Sequence, residues 1–422
     1  MAGVRRGPVV PAALSPPSAA PMGPRDARSR PLLNRATAKT LGQLGASPAS
    51  FVIRRTGIVR YIGNKQKLIP FIGEGLEELG IDGRTACDPF AGTASVARFL
   101  KRQGYSVATA DVMSFSYVLQ WAYVVVDERP RFERLIEIRA NTDRLRATID
   151  HLNHLEPAPG FIYVHFSPGS AGGSIHDRRY FTPENAARID AVRTRLHEWR
   201  ERGHLDDDEY HVLLAVLLEA ADRVANTTGV YAAYVKSWQP NALKPLRLRV
   251  PQLTTGTGLE CRAHQLDAME LMRRTRPFDL LYLDPPYNSR QYVGYYHIPE
   301  IIAEGWFKTE PALRGKTGLP EDGDKRSDWS RVKRCEEAFA ELVATAPCHH
   351  ILMSYNSEGI ISEACIEEVL RGRGSPGTYR KLQRSYKRYR SDRDRAGRRY
   401  KGDRVTECLY YVRVGTRAAR RV

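Results

Sequence analysis

The sequence predicts an α/β fold built on a doubly wound, mainly parallel sheet. Two short apolar segments end in an acidic residue, residues 85–87 before Asp88 and residues 278–283 before Asp284, and each has the length of a buried strand. After the first segment, apolar residues recur at helical spacing, which predicts a helix beginning near Ser95. A strand, a turn and a helix in this order are typical of the βα units of parallel sheets.

The second strand leads directly into Asp284, Pro285, Pro286 and Tyr287, the most informative motif of the chain. Ligands of parallel α/β sheets bind at the carboxyl ends of the strands, so this motif faces a site. The Asp284 carboxylate and the Pro285 carbonyl can both accept from one amino group, and Tyr287 can stack on the attached ring. The two prolines keep the turn rigid. The motif therefore predicts a site that methylates a planar exocyclic amine, where the alternative is an ordinary strand-to-loop turn.

A cofactor site is predicted at the turn after the first strand. Asp88, Phe90 and Gly92 stand in this turn, whose small residues let a ligand approach the backbone closely. The next predicted strand, residues 105–110, ends in Asp111, about 20 positions after the turn, where a carboxylate can accept from ribose hydroxyls. A glycine turn alone is weak evidence, so the prediction depends on Asp111 and on the later motif.

Two other segments are predicted to complete this site. Tyr61 and Lys65 precede an amphipathic stretch, where Lys65 can pair with a ligand carboxylate and Tyr61 can flank it. The alternative is an ordinary basic helix start. Asp267 follows a predicted strand at residues 261–264 and can accept from the adenine amino group of a cofactor, although capping the next helix is about equally expected.

In this order, the motifs resemble those of the DNA adenine-N6 methyltransferases of the D12 class, the Dam-like alpha group. The resemblance runs from about residue 51 to about residue 413 and rests on Asp111, on Asp267 and on residues 61–65, 88–92 and 284–287. It implies a Rossmann-like, seven-stranded methyltransferase fold, S-adenosylmethionine as methyl donor and adenine in DNA as target. It also implies cofactor contacts at Tyr61, Lys65, Asp111 and Asp284, with Asp284 serving both substrates.

Details of the motifs refine this resemblance. Residues 180–185, 226–231 and 288–292 are more similar to the methyltransferases of type IIS restriction systems than to Dam itself. Thr93 and Ala94 follow Gly92 where many relatives carry a second glycine. Related turns that begin with Asn serve glutamine and RNA base methyltransferases, and those with Ser serve cytosine-N4 enzymes, so Asp284 favours adenine in DNA.

The long segment between the two halves of the sheet is interpreted as an inserted, mainly helical target-recognition region at residues 129–257. Helical patterns cover residues 136–152, 186–200 and 210–224, and a polar and aromatic run follows. Such side chains can bind base edges and phosphates or stack on bases, but they also populate ordinary loops. DNA contacts are predicted at Arg223, Asn226, Tyr231 and Lys236, with residues 176–180 as a second candidate.

The chain is strongly basic, with 65 lysines and arginines, 48 acidic residues and a net charge of +17. This excess suits a polyanionic partner, although much of it lies in residues 1–49, predicted to be a disordered tail, and in residues 371–404. No apolar run reaches the length of a membrane span. The six cysteines form no CxxC pair, so we expect reduced thiols, no metal site and a cytoplasmic protein.

The catalytic domain is therefore predicted in two parts, residues 50–128 and 258–422, on either side of the insertion. The expected function is site-specific transfer of a methyl group from S-adenosylmethionine to N6 of a flipped-out adenine in double-stranded DNA. A monomer in a restriction-modification setting is expected, with a cognate restriction endonuclease as candidate partner. The alternatives are a catalytically inactive nucleic-acid-binding module of the same fold and an RNA adenine or cytosine-N4 methyltransferase.

Overall fold

The computed structural model describes residues 59–138, 143–169, 177–321, 327–387 and 404–415. In these ranges, seven strands form one sheet in the order β3-β2-β1-β4-β7-β9-β8, and two short strands form a separate hairpin, β5-β6. The α/β fold class is thus confirmed. The strands are β1 (Thr85–Asp88), β2 (Ser106–Ala110), β3 (Arg262–His264), β4 (Phe278–Leu283), β5 (Leu313–Arg314), β6 (Leu319–Pro320), β7 (Cys348–Asn356), β8 (Arg380–Lys387) and β9 (Arg404–Arg413).

The strand order reverses direction at the neighbouring strands β1 and β4. From β1 the chain proceeds outward to β2 and β3, and from β4 it proceeds the other way to β7, with all of these pairs parallel. Strand β9 is antiparallel to both β7 and β8. Ligand crevices of open α/β sheets lie at such a reversal, outside the carboxyl ends of the strands. Asp88 ends β1 and Asp284 follows β4, so both stand at this position.

Eleven helices lie in the described ranges. Those that flank the sheet are α1 (Ile69–Glu78), α2 (Ser95–Arg102), α3 (Ser114–Gln120), α8 (Ala268–Arg274), α9 (His297–Glu304), α10 (Cys335–Thr345) and α11 (Glu363–Arg373). The insertion carries α4 (Arg144–Asn153), α5 (Phe161–Phe166), α6 (Pro183–Glu201) and α7 (Asp207–Val224). Among the described residues, no helix combines the length and the apolar character that crossing a bilayer demands.

The central strand β4 is buried on both faces, which explains its continuous apolar sequence. Leu280 and Tyr282 pack in one cluster with side chains of α1 and α2, whereas Leu281 and Leu283 pack in a second cluster with side chains of α10 and α11. Alternate residues of a strand point to opposite faces, so one apolar strand stabilises both layers. The site at its end is therefore attached to the most rigid part of the fold.

The insertion has its own hydrophobic core, which is shared with α3 and α9. Helix α7 begins with a capping box between Asp206 and Glu209. The predicted helix at residues 136–152 is confirmed only from Arg144, because Asp143 accepts a hydrogen bond from the Arg146 amide and starts the helix there. Residues 1–49 and the basic residues 388–403 lie outside the described parts of the chain, so the predictions for them stay predictions.

Candidate active site

A cleft of about 720 Å³ opens where the carboxyl ends of β1, β2 and β4 meet. It brings together segments that are far apart in the sequence, because neighbouring parallel strands end at the same edge of the sheet. Eight of the predicted catalytic and cofactor-binding residues line it: Tyr61, Phe90, Asp111, Asp267, Asp284, Pro285, Pro286 and Tyr287.

The glycine turn after β1 is shaped by two residues with positive φ. Gly92 has a φ of +48°, and a Cβ there would lie 2.9 Å from the Tyr61 ring. Ala94, with a φ of 60°, begins α2. Asn64 fixes the segment that carries Tyr61 to this turn, because its amide donates to Thr93 Oγ1 at 3.0 Å and its Oδ1 accepts from Ser95 Oγ at 3.1 Å. A side chain at residue 92 would therefore displace the aromatic wall of the cleft.

Asp111 is held by backbone N–H groups at the end of β2. Its Oδ2 accepts from Gly92 at 3.1 Å and its Oδ1 from Met113 at 2.9 Å. Burial raises the pKa of Asp111 to about 6, the Met113 and Gly92 donors oppose the rise, and Glu300 adds to it. The carboxylate is thus held in place by the backbone of the glycine turn. It faces the cleft, as an acceptor for ribose hydroxyls would.

Asp284 shares one cation with a second carboxylate. The Lys65 ammonium is 3.1 Å from Asp284 Oδ1 and 2.5 Å from Glu407 Oε1 of β9. Burial raises the pKa of Asp284 to about 7, the charge and hydrogen bond of Lys65 oppose the rise, and Glu407 adds to it. Asp284 Oδ1 is buried against Lys65. Asp284 also lines the cleft, where its carboxylate can accept from a bound amine.

The predicted role of Lys65 differs from its position in the structure. We expected Lys65 to pair with a ligand carboxylate, but its side chain is only 4% exposed and its ammonium contacts two protein carboxylates. Burial alone would lower the pKa of Lys65, and the charges of Asp284 and Glu407 raise it above its ordinary value. Lys65 therefore lies outside the lining of the cleft, paired with Asp284. Its charge is already balanced without a ligand.

Tyr287 and the tyrosines behind it form the aromatic side of the cleft. Gly63, with a φ of +85°, lies so close to the Tyr287 ring that a Cβ would be 2.7 Å from its hydroxyl oxygen. Tyr61 stacks on Tyr296 with ring centroids 4.8 Å apart, and Tyr292 lies 5.3 Å from Tyr61. The Tyr355 hydroxyl donates to the Pro286 carbonyl at 3.3 Å and anchors the proline turn. A planar ring can thus be received beside Tyr287.

Two of the predicted cofactor residues have structural contacts of their own. Asp88 is 2% exposed and does not line the cleft. It accepts a hydrogen bond from the Phe90 amide at 3.2 Å and thereby stabilises the glycine turn. Burial raises the pKa of Asp88 well above its usual range, and Asp284 adds to the rise. Asp267 lines the cleft and also caps α8 by accepting from Met269 at 2.8 Å, so the two roles considered for it are compatible.

Sequence reasoning missed the outer wall of the cleft and one buried carboxylate. Gln291 exchanges two hydrogen bonds with the Ser327 backbone, at 3.1 and 2.8 Å, and Trp329 meets the Phe90 ring edge-on at 4.7 Å. Trp329, a lone tryptophan in a polar segment, was the sequence feature that could have indicated this wall. No sequence feature indicated Glu407, because it lies 342 residues from Lys65 in an ordinary strand pattern.

The four predicted DNA contacts divide into two kinds. Asn226 is fully buried, where its amide donates to the Arg179 and Val235 carbonyls, and Tyr231 is 1% exposed with its hydroxyl on Asp222. Direct DNA contact by either side chain is therefore not expected, because their polar atoms already form hydrogen bonds inside the protein. Arg223 is partly buried and donates to the Arg247 carbonyl, whereas Lys236 is exposed.

The second candidate DNA segment, residues 176–180, is also largely internal. His176 lies outside the described residues. Arg178 is 6% exposed and donates to three backbone carbonyls, and Tyr180 is fully buried. Arg179 is partly exposed, donates to the Lys236 carbonyl at 3.0 Å and forms an ion pair with Asp177 at 2.7 Å. Lys236 therefore presents its charge to solvent beside the loop of Arg179, and the buried Asn226 connects the two loops.

Comparison with known proteins identifies related sequences. The profile of the family described as D12 class N6 adenine-specific DNA methyltransferase matches residues 61–364, which is well over half of the chain. The chain is similar to the type II methyltransferase M.NlaIII of Neisseria lactamica, 33% identical over 362 residues that cover 84% of this chain and 99% of the relative.

Two other similar proteins are longer than this chain. The type II methyltransferase M.FokI of Planomicrobium okeanokoites is 33% identical over 358 residues, and the modification methylase StsI of Streptococcus sanguinis is 31% identical over 356 residues. Each match covers 84% of this chain but 52% of the relative. The chain thus spans about half the length of these two proteins.

Proposed function

The chain belongs to the D12 class of N6 adenine-specific DNA methyltransferases, and on that basis we propose that it transfers a methyl group from S-adenosylmethionine to the N6 atom of a specific, flipped-out adenine in double-stranded DNA. The observation that carries the proposal is the position of Asp284. It lies at the strand reversal of the sheet, beside Tyr287, and its carboxylate lines the cleft while Lys65 pairs with it. An exocyclic amino group in the cleft can donate to this carboxylate.

The residues around the glycine turn fit S-adenosylmethionine. Gly92 leaves room that a Cβ would fill, and Asp111 presents a carboxylate beside that space. Phe90, Trp329 and Asp267 stand nearby and suit a flat, apolar group with polar edges. When bound, this cofactor supplies an activated methyl group, so the protein has to position the two substrates and polarise the target amine. A covalent enzyme intermediate is not needed.

The amine end of the cleft fits adenine that has left the duplex. A base inside stacked DNA cannot reach a cleft between strand ends, and enzymes that modify bases therefore extrude them. Asp284 accepts from the N6 amino group while Tyr287 stacks on the base, which orients the nitrogen lone pair toward the methyl donor. Methyl transfer would break the bond between the sulfonium sulfur and the methyl carbon, form the N6–carbon bond, leave the sulfur as a neutral thioether and release one N6 proton to solvent.

The proposal is tested by expressing the gene in a host that lacks DNA methylation and mapping modified bases in its genome. We expect N6-methyladenine in one recognition sequence. Modified cytosine, modified RNA or unmodified DNA from a well-folded, cofactor-binding protein would each contradict the assignment. We further propose a restriction-modification setting, with a cognate endonuclease as partner, because the relatives are named as type II methyltransferases and modification methylases.

Asp111→Ala is expected to weaken binding of S-adenosylmethionine about tenfold to a hundredfold. The reason is the loss of charge-assisted hydrogen bonds to the cofactor, each of which contributes on the order of 1.5–3 kcal/mol. Isothermal titration calorimetry measures the change. Asp82→Ala, at a side chain that is 98% exposed before β1, is the control. An affinity equal to that of the wild type would exclude the ribose role.

Lys236→Ala is expected to weaken DNA binding to all sequences alike and to reduce by about one the slope of affinity against salt concentration. Lys236 is exposed on the loop that Asn226 fixes, so its charge can neutralise a phosphate. Fluorescence anisotropy over a salt series measures both quantities. Arg84→Ala removes an exposed charge at the amino end of β1 and serves as control. A slope unchanged from wild type would remove Lys236 from the DNA interface.

A further inference from the structure

Four side chains from separate parts of the chain form a buried cluster behind the proline motif. Lys65 precedes α1, Asp284 follows β4, Ser354 lies on β7 and Glu407 lies on β9. The Lys65 ammonium donates to Glu407 Oε1 at 2.5 Å, and Ser354 Oγ donates to the same oxygen at 2.7 Å. The Lys65 and Glu407 side chains are 4% and 1% exposed. Glu407 does not line the cleft.

We propose that Glu407 is a positioning residue for methyl transfer: it draws the Lys65 ammonium toward itself, so that the contact of Lys65 with Asp284 stays longer and the Asp284 carboxylate remains a strong acceptor for the target amine. The proposal rests on the proposed function. Glu407 acts through Lys65 and touches neither substrate.

The hydrogen-bond geometry supports this division of Lys65 between two carboxylates. Lys65 forms its shorter contact, 2.5 Å, with Glu407, whereas its ion pair with Asp284 Oδ1 is 3.1 Å long. Without a second carboxylate, the buried ammonium would turn to its single counter-ion and form a short charge-assisted hydrogen bond with it. Such a bond would withdraw negative charge from Asp284 and weaken it as an acceptor for the amine.

The energetic cost of the arrangement also indicates a functional role. Glu407 Oε2 is buried and has no hydrogen-bond partner among the described residues. A buried carboxylate with an unmatched oxygen is unfavourable, and native structures contain few such groups without a reason. Ser354 offsets part of that cost at the other oxygen. The fold thus retains Glu407 as a second carboxylate beside Lys65, although Asp284 alone could neutralise the Lys65 charge.

The charge balance of the cluster predicts how Asp284 titrates. Glu407 repels the ionised form of Asp284 and contributes to its raised pKa, while Lys65 lowers it. The other titratable groups that interact electrostatically with Asp284 come from β1, β4, β7, the segment before α1 and the segment after the proline motif: Asp88, Tyr282, Tyr355, Tyr61 and Tyr292. The tyrosines have raised pKa values and stay neutral, and burial raises the pKa of Asp88 well above its usual range, so Lys65 and Glu407 are the charges that matter.

Glu407→Gln is the test, because glutamine has nearly the same shape and no charge. Removing the negative charge lowers the pKa of Asp284, so the acid limb of the kcat profile should move to lower pH by about one unit. Lys65 then donates to Asp284, and the kcat plateau should fall about tenfold. KM for S-adenosylmethionine should change less than twofold. Glu407→Asp keeps the charge and should restore the position of the acid limb.

A titration that needs no activity follows Asp284 directly. Protein labelled with carbon-13 at the aspartate side-chain carboxyl is titrated by NMR, and the Asp284 signal is the one missing from Asp284→Asn. It should titrate near pH 7 in the wild type and about one unit lower in Glu407→Gln. Glu219→Gln removes another buried carboxylate, outside the cleft, and should leave this signal unchanged.

The outcomes separate the two proposals. An Asp284 signal that titrates at the same pH, or at higher pH, in Glu407→Gln would overturn the role of Glu407. A loss of kcat that leaves the acid limb at the same pH would also overturn this role. A merely structural defect lowers the amount of active enzyme without moving the acid limb. Wild-type protein that binds cofactor and never methylates adenine would instead overturn the proposed function, and the NMR titration would still decide whether Glu407 controls Asp284.

Discussion

Replacing Asp284 by alanine is expected to lower the rate of adenine methylation about a hundredfold to a thousandfold, the range seen when one group that stabilises the transition state is removed. The amino group loses its charged acceptor, and its lone pair is no longer oriented. The fold should survive, because Lys65 retains its hydrogen bond to Glu407. Transfer of radiolabelled methyl groups to DNA measures the rate, and calorimetry should find the affinity for S-adenosylmethionine reduced by no more than about tenfold.

Asp284→Asn is the companion variant, since it keeps the size of the side chain and removes the charge. It should be impaired nearly as strongly as alanine, because the Lys65 ammonium attracts the amide oxygen and leaves the amide nitrogen, a donor, where an acceptor is required. Asp279→Asn is the matched control on the same strand, with the carboxylate at the amino end facing the Arg84 and Thr85 amides. Methylation at the wild-type rate by Asp284→Ala would remove this residue from the reaction.

Lys65→Met is expected to lower the methylation rate at pH 7 about a hundredfold and to shift activity toward alkaline pH. Asp284 already titrates at about 7. Without the ammonium, two neighbouring carboxylates share one buried site, so the pKa of one is raised by about two units or more. Asp284 is then protonated at neutral pH and cannot accept from the amine. Activity should return partly as the pH is raised to about 9, which a kcat profile measures.

The same variant should also be less stable, because removing one partner of a buried ion pair costs about 3–5 kcal/mol. Lys65→Arg keeps the charge and should retain the acid limb near that of the wild type, which separates the electrostatic effect from the loss of stability. Lys67→Met, at an exposed lysine two positions later, is the control. A rate for Lys65→Met that stays low at every pH, with intact folding, would contradict the electrostatic explanation.

Strand positions and cleft-facing motifs could be predicted because they depend on local patterns. The apolar run of β4, the small residues after β1 and the acidic residue after β2 each specify a strand end, and parallel pairing then brings the ends together. The partner of Lys65 could not be found in this way. Glu407 faces the cluster only because β9 inserts beside β7 in one register, with Asn356 opposite Glu407. No local pattern determines that register.

Two of the predicted DNA contacts, Asn226 and Tyr231, are buried for a different physical reason. Asparagine and tyrosine suit both an interface and the buried junction of two loops, since each carries hydrogen-bonding groups on a partly flat side chain. In the structure, Asn226 and Tyr231 are buried and form hydrogen bonds inside the protein. Composition cannot distinguish the two cases, because the difference lies in whether another loop covers the side chain. Exposed Lys236 shows the complementary case, since a lysine is rarely buried without a partner.

The position of β9 has a consequence for how the enzyme is made. This strand is the last of the sheet to be synthesised, yet it lies between β7 and β8 and contributes Glu407 to the cluster beneath the proline motif. A nascent chain that has emerged only as far as β8 therefore has an unpaired edge on β7 and no counter-ion at this position for Lys65. DNA modification should begin only after β9 has left the ribosome and has paired with β7.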